Sequence, residues 1–181
     1  INSYAEHLHS MPLPIIVAFR AVMLALFIVH IIYGIQLTLE NRAGRPSQYA
    51  VKATRKTTFS SENMIWTGLL LFAFIVYHLL HFTFLVTPGL TLTNDASGHF
   101  NVFAMVASSF TGFAGAAIYV VFVAVLFLHL YHGIQSFFQT IGQANDRTLP
   151  TIITAGKLVA LVLFLGFASI PLSMLLGIIK G

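Results

Sequence analysis

The sequence predicts an all-α membrane protein, one bundle of transmembrane helices occupying residues 1–181. Three observations predict it. Hydrophobic residues make up 57% of the chain and charged residues only 8%, whereas roughly a quarter of a soluble domain is charged. The mean hydropathy of +0.88 agrees. The uncharged stretches are also too long for buried core helices: none of Asp, Glu, Lys or Arg falls between Glu62 and Asp95, between Asp95 and Asp146, or between Lys157 and Lys180. A crossing needs about 20 apolar residues, and four segments meet that length.

The chain opens with residues 1–12, whose mixed polar and apolar side chains suit an interfacial segment. The first span is expected at 13–39, where Arg20 is the one charge. Residues 40–62 follow as a loop carrying Arg42, Arg45, Lys52, Arg55 and Lys56. The second span is expected at 63–87, closed by the turn formers "TPG". After "DASG", residues 99–110 again suit a short interfacial helix. The third and fourth spans are expected at 112–138 and 157–179.

Lys and Arg set the expected orientation. The 40–62 loop is basic and the 88–111 loop holds neither residue, so the first faces the cytoplasm. Alternation puts Arg147 and Lys157 on the same side and the C-terminus outside. The net charge of +4 is thus a topology signal, and with no basic stripe interleaved with aromatics no nucleic-acid partner is expected. Cysteine is absent. That excludes disulfides, thiolate metal or iron–sulfur ligation, cysteine nucleophiles and covalent c-type haem on this chain.

Five histidines lie inside the expected spans: His30, His78, His81, His129 and His132. Ionisable residues at membrane depth are costly and usually functional. The phrases "VHIIYGIQ" and "LHLYHGIQ" repeat a histidine followed four residues later by Gly-Ile-Gln. His30 precedes Glu40 by ten residues, and His129 precedes Gln139 by ten, on helices running the same way. Each therefore lies roughly 15 Å short of the inner boundary. Gly34 and Gly133 sit one turn onward on the same faces, where a missing side chain lets a flat group approach. Two level imidazoles, each beside a glycine notch, describe the axial ligands of a bis-histidine b-type haem. His78, on the opposed helix, is sixteen residues from Glu62. It should lie about 9 Å further out, too far for the same iron, which suggests a second haem. His81 and His132 share faces with His78 and His129, so either of each pair could ligate. The expected role for His81 and His132 is to support the ligands or the propionates.

The phrases "INSYAEHLHSMPL", "VHIIYGIQLTLENRAGRP", "NMIWTGLLLFAFIVYHLLHFTF", "LHLYHGIQSFFQTIG" and "FLGFASIPL" resemble the single-chain, di-haem cytochrome b membrane anchor of succinate:quinone oxidoreductases and fumarate reductases, bacterial complex II, over essentially the whole chain. The resemblance implies that His30 and His129 bind the haem b nearer the cytoplasm, and that His78 is one ligand of the outer haem b. It implies a flavoprotein subunit with FAD, where succinate is oxidised or fumarate reduced, and an iron–sulfur subunit docked on the cytoplasmic face. No catalytic residue is expected here. Electrons would pass through both haems to quinone, with menaquinone and a bacterial inner membrane the expected setting. The family has five spans, and the first, carrying the partner ligand of His78, is not matched by this sequence. The expectation is an earlier crossing with a histidine in its outer half.

Glu6, His7, His9 and Ser10 form a polar cluster at the expected outer interface, a place for proton exchange with quinone or simply a solvated cap. Arg20 is read either as a partner of an outer haem propionate or as a side chain snorkelling to headgroups. Trp66 and Tyr77 are expected to pack, and the basic loop is the expected docking surface. The rival readings are the haem b anchor of a formate dehydrogenase or hydrogenase, and a haem-free transporter subunit with proton-relay histidines.

Overall fold

The computed structural model describes residues 1–44 and 57–180. Arg45, Lys52, Arg55 and Lys56, most of the expected docking surface, lie outside the described residues. The described residues form seven helices, α1 (Asn2–Ser10), α2 (Leu13–Ala43), α3 (Phe59–Glu62), α4 (Met64–Phe82), α5 (Val102–Ser109), α6 (Phe113–Thr140) and α7 (Leu149–Leu175). No strand occurs among them, only an isolated bridge between Asn94 and Phe100. Four helices, α2, α4, α6 and α7, are long and apolar enough to cross a membrane. The fold is an all-α transmembrane bundle.

Helix ends differ from the expected spans where turn chemistry overrides hydropathy. α4 stops at Phe82, although apolar residues continue to Val86. Phe84 N–H bonds the Leu79 carbonyl at 2.8 Å and Val86 N–H bonds that of Leu80 at 3.1 Å, curling the chain back. Leu85 takes the left-handed conformation, φ 55°. α7 begins at Leu149, eight residues before the expected start at 157, because Pro150 in its first turn has no N–H to lose. Lys157 is thereby inside the helix, with its Nζ 5.2 Å from the centre of the Tyr131 ring. The same helix ends at Leu175, where Gly177, φ 67°, lets Ile178 N–H return to the Ser173 carbonyl at 2.9 Å.

Small residues decide which helices touch. Gly156, Ala160 and Ala168 of α7 are buried, and a Cβ at Gly156 would stand 3.2 Å from Ile134 Cγ2 of α6. Close backbone approach replaces hydrophobic driving force where the solvent is itself oily. α4 packs on α6. α2 stands off, with no buried residue, and reaches α4 through the Phe27 and Phe72 rings at 6.2 Å. The gap it leaves is a cleft between α2, α4 and α6.

At the other end, α5 closes over the start of α6. Ala107, Phe110, Ala116, Tyr119 and Met174 form the buried core there. The connecting turn is tight enough that a Cβ at Gly115 would lie 2.5 Å from the Ser109 carbonyl oxygen. α1 is tied to α5 by Asn2, whose Oδ1 accepts Phe103 N–H at 2.9 Å while its Nδ2 donates to Asn101 Oδ1 at 3.0 Å.

Candidate functional site

α4 and α6 run antiparallel, so the intramembrane histidines fall into two tiers. In the first, His30 of α2 and His129 of α6 face one another with ring centroids 6.1 Å apart and planes at 81°. They stand across a cleft of about 1130 Å³ between α2, α4 and α6. Its walls are apolar at depth, with Phe27, Phe72 and Leu126, and polar at one mouth, with Asn41, Arg42 and Ser61. Ligand pockets commonly span about 300–1,000 Å³, so this space suits a large ligand.

Gly34 lies on the cleft wall, and a Cβ there would meet nothing within 4 Å. Gly133 does not take the matching place. It is not on the cleft wall, and a Cβ there would meet Met64 Cε at 3.8 Å. Gly133 is turned toward Met64 at the start of α4, while the ring of His129 lines the cleft. The glycine packed against the His129 ring is Gly68 of α4, where a Cβ would touch His129 Cε1 at 3.4 Å. Sequence reasoning missed Gly68 because its use depends on a neighbouring helix. A lone glycine in the run "WTGLLL" was the available signal.

Beside it, Thr67 Oγ1 lies 3.0 Å from His129 Nδ1. His132 lines the same cleft, with Nε2 2.9 Å from Ser136 Oγ. Among the described residues no group of three or more His, Cys, Asp or Glu could hold a bare metal ion. A metal whose equatorial ligands come from a macrocycle needs only two side chains. The His30 and His129 rings, 6.1 Å apart on opposite walls of the cleft, would hold such a group through their ring nitrogens. The residues fit a b-type haem in donor chemistry and room.

The second tier is at the α5 end. His81 is buried, stacks on Phe82 at 4.1 Å, and lies with Nδ1 2.9 Å from the Tyr119 hydroxyl. His78 Nδ1 is 3.4 Å from the same hydroxyl, yet its side chain is exposed. Spacing of three placed the two on one face, and packing separates them: His81 enters the aromatic core, and His78 is left exposed at its edge. Tyr77 packs against His81 at 5.5 Å. Tyr119, unmarked in the sequence, joins both.

The polar cluster of α1 is divided. Glu6 and His9 border a hollow of about 280 Å³ together with His99, and Glu6 Oε1 is 3.0 Å from His99 Nε2. His7 is not on that hollow, and Ser10 Oγ donates to the His7 carbonyl at 2.8 Å. His99 was not singled out because it lies over ninety residues away in the chain. Next to it, desolvation pushes the Asp95 carboxyl up but is outweighed by the His99 and Ser97 amides, the Asn2 side chain and the charge of His99, so the carboxyl sits below its usual range. Arg20 is exposed on α2 and makes no ion pair or hydrogen bond among the described residues.

A helical bundle with histidines paired across a cleft between apolar helices defines a multi-pass membrane protein. Residues 40–166 match the family model of the succinate dehydrogenase/fumarate reductase transmembrane subunit, and the chain belongs to that family. Neither the comparison with curated proteins nor that with solved structures finds a match. The protein is therefore a membrane subunit of an oxidoreductase complex.

Proposed function

We propose that this chain is the cytochrome b anchor of a bacterial succinate:quinone oxidoreductase, holding one haem b at His30 and His129 and a second at His78. The observation that carries the proposal is the pairing of the His30 and His129 rings at 6.1 Å across the α2/α4/α6 cleft. When bound, the haems supply one-electron transfer between an iron–sulfur subunit, itself joined to an FAD-bearing flavoprotein, and membrane quinone, for which menaquinone is proposed.

The chain's own work is ligation, alignment and exclusion of water. His30 and His129 provide imidazole nitrogens from opposite walls, Gly34 leaves the face of α2 flat, and Phe27, Phe72 and Leu126 keep the interior dry. Arg42, with Asn41 and Ser61, supplies polarity at the cytoplasmic mouth. At the outer face, Glu6, His9 and His99 border a hollow where protons can be exchanged with quinone. His81 and Tyr119 support His78, and Arg20 is available to a propionate of the outer haem. The family match favours this reading over the anchors of formate dehydrogenases or hydrogenases.

Reduced-minus-oxidised spectra of the purified complex test the proposal, with haem quantified per chain. His30→Ala and His129→Ala should each remove the same haem, and His78→Ala should spare it. Loss of spectrally different haems from the first two variants would break the pairing. A wild-type complex without b-type bands would leave the haem-free reading standing.

A further inference from the structure

Thr67 has a role that its residue type and position in α4 do not announce. Its side chain is buried, 5% exposed, and its hydroxyl has three neighbours: the Asn63 carbonyl at 3.1 Å, the Met64 carbonyl at 3.0 Å and His129 Nδ1 at 3.0 Å. A hydroxyl has one proton and two lone pairs. Both carbonyls, of the N-cap Asn63 and of Met64, lie about one turn back and can only accept, the usual back-bonding of a helical threonine. If the proton pointed at His129 instead, two oxygen–oxygen contacts of 3.0 and 3.1 Å would have no hydrogen between them. The arrangement that makes all three contacts attractive shares the proton between the carbonyls and leaves the oxygen to accept.

Nδ1 of His129 must then be the donor. A neutral imidazole carries one proton, so Nε2 is left with its lone pair. That nitrogen has no hydrogen-bond partner among the described residues, and the ring lines the cleft. The backbone beside Thr67 completes the fixture, since Gly68 lets the Cε1 edge of the ring lie against α4. Helix α4 thus holds the ring at Nδ1 and Cε1 and leaves Nε2 without a hydrogen-bond partner among the described residues.

We propose that Thr67 is the positioning residue of the inner haem, fixing His129 in the Nδ1–H tautomer with Nε2 presented to iron. The assignment rests on the haem reading above. A hydrogen-bond acceptor on the far nitrogen also makes the imidazole a stronger donor, which favours the ferric state. Removing it should therefore raise the midpoint potential of that haem and weaken its retention by 10–100-fold, the effect usual for loss of such a partner.

The test uses the assembled complex with Thr67→Val, Thr67→Ser and, should the valine variant fail to accumulate, Thr67→Ala. Haem per chain, retention against a competing apo-haem protein, and a spectral redox titration are measured for each. The proposal expects a raised potential and weakened retention confined to the haem that His30→Ala removes, with wild-type values restored by Thr67→Ser. An unaltered potential in Thr67→Val or Thr67→Ala, with normal b-type bands in the wild type, overturns the assignment of Thr67 alone. Equal shifts in the serine and valine variants also overturn it, because side-chain volume and not the hydroxyl would be responsible. A wild-type complex without b-type bands overturns the haem reading and this inference with it.

Discussion

At the residue scale, the cleft distinguishes glycines that the repeated phrase makes look equivalent. Gly34 and Gly133 occupy the same place after their histidines, but only Gly34 borders the cleft. Gly68, outside the repeat, touches the His129 ring. Gly68→Leu should therefore cost the inner haem, since the added side chain would drive the ring from its seat. Gly133→Leu should keep it, because the atom it meets is the flexible end of Met64. Haem content and reduced-minus-oxidised spectra of the two variants check the contrast, and a reversed outcome would return the notch to Gly133. The histidines were legible as residues because charge-capable side chains are rare in an oily chain. Their partners Thr67 and Tyr119 were not, since a threonine or tyrosine in a span is unremarkable until the neighbouring helix is placed.

At the element scale, the link between α1 and the 94–103 turn is held by short polar contacts. Asp95 Oδ1 accepts Ser97 N–H at 2.9 Å and His99 N–H at 3.1 Å. Its carboxyl is held below its usual range in the folded chain. Ionisation therefore stabilises the turn above the unfolded pKa, and that stability is lost as pH falls through the folded value. Amide-exchange protection factors at Ser97 and His99 should drop on acidification through the carboxylate range. Asp95→Asn should flatten that dependence, which assigns it to this carboxylate. An unchanged pH profile in this variant would take the effect away from Asp95. The ends of the helices were the less legible part of each element. Hydropathy continues through Val86, but the Leu79 and Leu80 carbonyls had already accepted a returning chain.

At the scale of the whole molecule, orientation is the property that charge alone predicts. The absence of cysteine makes the test direct, because an introduced cysteine is the only thiol in the chain. Ser97→Cys should react with a membrane-impermeant maleimide in intact cells, and Asn145→Cys only after lysis, if the basic loops face the cytoplasm. The opposite pattern would invert the assignment of both haem tiers to inner and outer faces. Composition, span number, the levels of His30 and His129, and the separate depth of His78 were determined by the sequence itself, because a helix converts residue count into depth at a fixed rise. Tertiary structure decided what counting along one helix cannot supply. It set α2 apart from α4 and α6 to open the cleft, while Gly156 and Ala160 drew α6 and α7 together. It buried His81 and left His78 exposed, although they are three residues apart. It brought His99 to Glu6 from the far side of the chain. Rise along a helix is local and invariant, whereas the direction in which a side chain finds its neighbour depends on which helices have small residues where they meet.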